Sequence, residues 1–169
     1  MRGGTYLVLL AALMLCGCAG YHLGPTNGQL ASARSVQVTP FLNNSTEPGL
    51  ADEVTSQLRK QVQRDGTLRL ATEGDADLVL TGVIEQYQRR ELSLQRDDVR
   101  TVRDYQISLS AHVKVIERGS GRTVLDQTVK GGTLLRVGSD LVSSERQATP
   151  LLAKDLAQKI TDLLVDGGW

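Results

Sequence analysis

The sequence has little of what metal sites and enzyme active sites are usually built from. Of its 169 residues only two are cysteine and two are histidine, and His22 and His112 are far apart in the chain. It contains no cysteine–histidine cluster with metal-ligand spacing, no phosphate-binding Walker loop and no G-x-S-x-G motif. We therefore expect no catalytic residues, no metal and no cofactor, and a protein that is not an enzyme.

The few residues that could carry chemistry sit where a structural role is the better interpretation. Asp75 and Asp77, and the pair Asp97 and Asp98, lie at predicted strand ends, where acidic residues commonly form turns. His112 lies on the polar face of a predicted strand, so we expect it to be solvated or hydrogen-bonded. Each of these residues is predicted to be structural.

The chain also lacks a hydrophobic run long enough to cross a bilayer. Residues 6–15 are ten consecutive apolar residues, whereas a spanning helix needs about 20. The run follows Arg2 and precedes small residues, which is typical of a signal peptide. Leu15, Cys16, Gly17 and Cys18 resemble the lipobox of bacterial lipoproteins, in which the last cysteine is acylated. Residues 1–17 are therefore predicted to be a lipoprotein signal peptide, cleaved before Cys18.

Cys18 is predicted to carry the lipid anchor, acyl chains such as palmitate. Cys16 is the rival acceptor, but the bulky Met14 and Leu15 precede it. Ala19 follows the acylated cysteine, and the absence of an aspartate there favours the outer membrane, with the protein on its periplasmic face. The processed chain has no second cysteine and hence no disulfide, so its fold depends on a hydrophobic core.

The processed chain has no excess of either charge. Removing residues 1–17 takes away Arg2, which leaves 18 of the 19 basic residues against 19 acidic ones, a net charge of −1. This balance argues against nucleic acid as a partner. Residues 18–33 contain glycine, proline and asparagine without periodicity and are predicted to be a tether. Residues 34–169 then form a single domain.

Periodicity predicts two helices and about four strands in that domain. Strands are expected over residues 34–41, 77–88, 100–117 and 123–129, with short ones over 68–70 and 134–137 and a bend at Gly131 and Gly132. Residues 106–114 alternate most cleanly, with Ile107, Leu109 and Val113 on one face and polar residues on the other. An apolar stripe every four residues predicts a helix over residues 48–65, ending at Gly66.

A second helix is predicted at the C-terminus, and its start is ambiguous. Thr149 could cap it with Pro150 in the first turn, or Ser144 could open a capping box one turn earlier, leaving Pro150 inside the helix. The predicted class is α+β, a two-layer sandwich with two helices on one face of a mixed, mostly antiparallel sheet.

Arginines are concentrated in the link between the two long predicted strands. Five lie within 15 residues: Arg89, Arg90, Arg96, Arg100 and Arg103. Partly offset by nearby acids, they could form a solvated, salt-bridged hairpin. Alternatively they could bind an anion, since guanidinium forks match phosphate geometry. Strand alternation would let only a subset converge, and the candidates are Arg90, Arg96 and Arg100, with Arg136 as a neighbour from the last strand.

Taken together, these residues resemble the LptE family of lipopolysaccharide-assembly lipoproteins. The likeness begins at residues 17–23 (GCAGYHL), continues with Asp104-Tyr105-Gln106 and ends with Ser144 to Gln147, taken as a loop, and the amphipathic helix that follows. Residues 24–28 (GPTNG) also resemble members from the Verrucomicrobia group. The long polar C-terminal tail of enterobacterial members is absent, so nothing attributed to that tail carries over.

The resemblance implies a protein that sits in the lumen of the outer-membrane β-barrel LptD, helps the barrel assemble and helps lipopolysaccharide reach the cell surface. Its partners would be an LptD-like barrel, lipopolysaccharide and the membrane. It also implies a basic lipopolysaccharide site near the hairpin, without fixing its positions. A different interpretation is open: residues 38–58 also resemble the opening of periplasmic lipoproteins that activate a cell-envelope enzyme or serve a secretion system.

Overall fold

The structure is a computed structural model that describes residues 34–72, 74–95, 98–137 and 140–166. For residues 93–95 and 98–103 only the backbone is described. The predicted signal peptide and tether, including Cys18, lie outside the described residues, and so does Arg96.

The sheet has six strands: β1 (Ser35–Val38), β2 (Leu42–Asn43), β3 (Arg69–Leu70), β4 (Leu78–Gln95), β5 (Asp98–Glu117) and β6 (Thr123–Arg136). Their order is β3-β1-β4-β5-β6, with β2 also paired to β4. β1 pairs in parallel with both β3 and β4, and β2 pairs in parallel with β4. Strands β4, β5 and β6 form an antiparallel meander. The predicted mixed sheet is confirmed, and the short strand predicted over residues 68–70 corresponds to β3. The sheet has more than four strands because it also contains β2, whose two residues leave no alternation to detect.

Helix α1 (Leu50–Asp65) forms where the apolar stripe predicted it. Leu50, Val54, Leu58 and Val62 are all buried. The helix ends as predicted at Gly66, which adopts a left-handed backbone conformation and donates its N–H to the carbonyl of Val62 at 3.2 Å. A residue with a Cβ would be strained there, so glycine is the residue expected after the last helical turn.

Strands β4 and β5 form one long hairpin, and this corrects the predicted link between them. β4 runs on to Gln95 and β5 begins at Asp98, so Arg89, Arg90 and Arg100 belong to strands. A bulge at Glu85 shifts the register between Ile84 and Gln86. The bulge reverses the alternation of β4: even-numbered residues face the helices before it and odd-numbered residues do so after it.

Strand β6 continues through Gly131 and Gly132, so the predicted bend is wrong: the β5–β6 register is unbroken there. The reason for glycine is packing. A Cβ on Gly131 would lie 2.8 Å from the Cβ of Leu156 and 2.9 Å from its backbone nitrogen, whereas one on Gly132 would meet nothing closer than 3.6 Å. Gly131 therefore lets the second helix approach the sheet closely.

Helix α2 (Leu141–Asp166) begins earlier than either predicted cap. The carboxylate of Asp140 accepts the N–H of Ser143 at 2.8 Å and caps the helix. This hydrogen bond is the main cause that lowers the pKa of Asp140. Pro150 lies inside the helix, as the second alternative implied, and cannot donate to the carbonyl of Arg146. The Ser144 to Gln147 segment is thus helical and does not form a loop.

Both helices pack on one face of the sheet, so the predicted two-layer class is confirmed. The core lies between them and the odd-numbered residues of β5. Its largest fully buried side chains include Leu58, Leu80, Ile84, Ile107, Leu109, Leu152, Leu156 and Ile160.

Candidate interaction surface

The sheet face that carries no helix, called the outer face below, is polar along most of its length. On β5 it presents the residues that alternate with the core: Gln106, Ser108, Ser110, His112 and Lys114. On β6 it presents Thr128, Lys130, Leu134 and Arg136, and on β4 beyond the bulge Gln86, Gln88 and Arg90. The predicted division of β5 into an apolar and a polar face is therefore confirmed.

An open depression of about 710 Å³ lies on this face, towards the end of the hairpin where β4 ends at Gln95 and β5 begins at Asp98. It is lined by Gln88, Arg90, Gln106 and Ser108 of this face and by Arg89, which lies between Gln88 and Arg90 on β4 and whose guanidinium contacts Glu145 on the other face. Amides, a hydroxyl and a guanidinium together can both donate and accept hydrogen bonds. The depression can therefore hold a polar partner, and it carries one of the predicted arginines, Arg90.

Of the four arginines proposed to converge, Arg90 and Arg136 share the outer face on the two strands that flank β5. Arg90 lies opposite Gln106 and is exposed. Arg136 lies opposite Asp104 and forms an ion pair with it at 2.9 Å, which raises the pKa of Arg136. Its side chain is still 72% exposed. Arg96 and the side chain of Arg100 lie outside the described residues, and register shifts beyond Glu91 interrupt the alternation used to orient them.

Arg89 has a different role, on the helix-covered face. It forms an ion pair with Glu145 of α2, and its guanidinium carbon stands 5.5 Å from the centre of the Tyr105 ring. The hydroxyl of Tyr87 donates to the same Glu145 carboxylate at 3.3 Å. Burial, and then the charge of Glu145, raises the pKa of Tyr87 to about 12. This cluster attaches the first turns of α2 to the hairpin.

Sequence reasoning missed Glu145 because its segment was interpreted as a loop. The signal was nevertheless present in the resemblance. Of the short motifs that carry it, Tyr105 belongs to Asp104-Tyr105-Gln106 and Glu145 belongs to the segment from Ser144 to Gln147, and both residues contact Arg89. The two motifs therefore meet at one arginine.

The residues predicted to be structural do make structural contacts. The Asp77 carboxylate accepts the N–H and the hydroxyl of Ser35, both at 2.7 Å, and these bonds lower the pKa of Asp77. His112 contacts Asp126 at 2.8 Å. Asp75 forms an ion pair with Arg118 at 3.6 Å. The pair Asp97 and Asp98 lies where no side chain is described. Within the described ranges, no group of three or more potential metal ligands is found, and neither helix there is long and apolar enough to span a membrane.

The fold is that of several solved bacterial proteins. A minor lipoprotein from Acinetobacter baumannii superposes with a TM-score of 0.54 at 17% identity, covering 80% of this chain and 94% of the other. Protein CT253 from Chlamydia trachomatis gives a TM-score of 0.56 at 13% identity, with coverage of 78% and 95%. Protein XCC0632 from Xanthomonas campestris gives 0.56 at 12% identity, with coverage of 80% and 85%. At such identities the likeness concerns the fold.

The family is defined by the sequence itself. A two-layer α+β domain of this kind, with one sheet face covered by helices and one left polar, is the class to which the chain belongs. More particularly, the model of the lipopolysaccharide-assembly family, LptE, matches residues 33–165, and the chain is a member of that family. The family is a non-enzymatic one of bacterial envelope lipoproteins that act in lipopolysaccharide assembly. Among curated proteins none matches the chain significantly.

Proposed function

We propose that this protein is an outer-membrane lipoprotein that plugs the LptD β-barrel, assists the barrel's assembly and helps deliver lipopolysaccharide to the cell surface. The observation that carries the proposal is the polar outer face. A barrel lumen is polar, and the exposed Gln106 and the partly exposed Ser108 can form hydrogen bonds there, the serine with little loss of side-chain entropy.

In this proposal Cys18 carries the lipid anchor. Cleavage after residue 17 makes it the first residue, and residues 18–33 form the tether. Three acyl chains, each CH₂ contributing about 0.8 kcal/mol on burial, would make dissociation from the membrane negligible. A short tether would also keep the domain at a high local concentration beside its partner. Cys18→Ser should therefore leave an unprocessed precursor and Cys16→Ser should not. Normal processing and acyl labelling of Cys18→Ser would refute the assignment.

The lipopolysaccharide site is proposed on the outer face at Arg90 and Arg136, with Arg96 and Arg100 as further members. Lipopolysaccharide carries clustered phosphates, and guanidinium groups bind phosphate through paired hydrogen bonds. Arg90 beside the depression and the largely exposed Arg136 satisfy the requirement for cations on one face. Because these side chains are exposed, salt should weaken the binding, with screening over about 8–10 Å.

The test of the lipid site compares two double variants of the protein in titrations with lipopolysaccharide. Arg90→Glu/Arg136→Glu reverses two charges on the outer face, and Arg64→Glu/Arg146→Glu makes the same change on exposed helix positions. We expect weaker binding, with a smaller salt dependence, in the first variant only. Equal binding by both variants, with the fold intact by circular dichroism, would mean that Arg90 and Arg136 are solvated surface residues that do not bind lipopolysaccharide.

The test of the partner is recovery of the full lipoprotein from outer membranes. We expect a heat-modifiable β-barrel to copurify with it. Copurification of a cell-envelope enzyme or a secretion complex in place of the barrel would support the activator function and contradict this proposal.

A further inference from the structure

The free edge of the sheet is occupied by side chains of α2. β6 is the last strand of the sheet and pairs only with β5 in the described structure. The Asp155 carboxylate accepts the backbone N–H of Gly132 at 2.8 Å, and the Lys159 ammonium donates to the backbone carbonyl of Lys130 at 3.1 Å. These two backbone groups point away from β5. They are the groups that a further strand would have to pair with.

The arrangement depends on the close approach of the helix. Asp155 and Lys159 are one helical turn apart and form an ion pair with each other at 2.9 Å. They flank Leu156, the residue that packs onto Gly131 and leaves no room for a Cβ there. The packing of Leu156 on Gly131 thus brings the Asp155 carboxylate to the N–H of Gly132 and the Lys159 ammonium to the carbonyl of Lys130.

We propose that Asp155 and Lys159 form an edge lock, which prevents β6 from pairing with β6 of a second copy of this protein. Edge strands are protected in proteins because their open backbone groups template pairing with other chains. In β6 the backbone groups of even-numbered residues face the open edge, as Lys130 and Gly132 show. An antiparallel pair of edges centred on Thr128 would use those groups.

The charges of β6 favour that register between two copies. With Thr128 opposite Thr128 of the second copy, Asp126 would lie opposite Lys130, and opposite charges across a strand pair are favourable. The same register needs the Lys130 and Gly132 backbone groups that α2 occupies. The lock therefore blocks the pairing that the strand's own sequence would support.

The main test uses a single cysteine in the full-length lipoprotein, purified in detergent micelles without the barrel. In the proposed register the two Thr128 Cα atoms would be about 5.5 Å apart, within disulfide range. We expect Thr128→Cys to give no disulfide-linked dimer in the otherwise native protein and a clear dimer in the Asp155→Ala/Lys159→Ala background. Gln127→Cys, which this register does not place opposite itself, should give no dimer in either background and controls for reaction through other cysteines.

A second measurement examines the lock directly. Hydrogen exchange at the Gly132 amide should accelerate at least tenfold in Asp155→Ala/Lys159→Ala. It should be unchanged in Lys154→Ala/Gln158→Ala, which alters two exposed positions of the same helix. Unchanged exchange in the first variant, or faster exchange without a Thr128→Cys dimer, would overturn the proposal. A dimer of equal yield in the native background would also overturn it.

Discussion

On strand β5, neighbouring residues enter two different environments. Leu109 is fully buried under the helices, whereas Ser108 faces the outer surface and lines the depression. On the helix side, the available volume determines which residues fit. Side chains fill the space between the sheet and the helices, and Gly131 lies where α2 leaves no room for a Cβ. The outer side is specified by hydrogen-bonding groups and charge. The comparison indicates that one face maintains the fold, whereas the other is not required to fill the core.

The comparison should be sharpest in the core. Leu109→Ala or Leu156→Ala should lower the free energy of unfolding by about 2–5 kcal/mol, because each leaves a cavity in a closely packed layer. Ser108→Ala should change it by no more than about 0.5 kcal/mol. Urea denaturation of the soluble chain that begins after Cys18 measures all three. Equal losses at positions 108 and 109 would mean that the assignment of the two faces is wrong.

Adjacent glycines allow a second comparison. Gly131→Ala should destabilise the protein by about 1–3 kcal/mol, because the new methyl group would overlap Leu156 and force α2 away from the sheet. Gly132→Ala places its methyl group on the outer face, 3.6 Å from the nearest atom, and should be close to neutral. Thermal unfolding of the two variants should therefore separate them. Similar melting temperatures would contradict the close approach of the helix.

A third prediction concerns the alkaline range. Because the pKa of Tyr87 is raised above its usual value of about 10 to about 12, the folded state holds a proton that the unfolded state releases between these values. The contribution of Tyr87 is therefore complete below pH 10 and is lost as pH rises towards 12. Tyr87→Phe should show a shallower fall of stability between pH 10 and 12. A slope identical to that of the native protein would mean that the Tyr87 hydroxyl is not buried beside Glu145.

The sequence predicted the helices and strands in which buried residues recur at regular spacing. The four-residue spacing of Leu50, Val54, Leu58 and Val62 defined α1, and the alternation around Leu109 defined the two faces of β5. These patterns arise because a whole face of the element is buried. The sequence could not predict β2, whose two residues are too few for a pattern, or the bulge at Glu85, which depends on pairing with another strand.

The same limit explains the errors at the candidate site. The arginine-rich segment was predicted to link two strands, yet strand pairing continues through most of it because the partner strand supplies the hydrogen bonds. The start of α2 was predicted too late, at Thr149 or at Ser144, because the Asp140 cap and the contact of Glu145 with Arg89 stabilise an earlier first turn. Contacts between residues distant in sequence decided both cases.

The proposed contact between the outer face and the barrel can be examined by site-specific photocrosslinking in living cells. A photoreactive residue replaces Ser108 on the outer face in one strain and Lys154 on the exposed side of α2 in another. We predict a crosslink to the LptD barrel from position 108 and a much weaker one from position 154. Crosslinking to the barrel from position 154 alone would mean that the helices, and not the outer face, contact the barrel, and would contradict the proposed function.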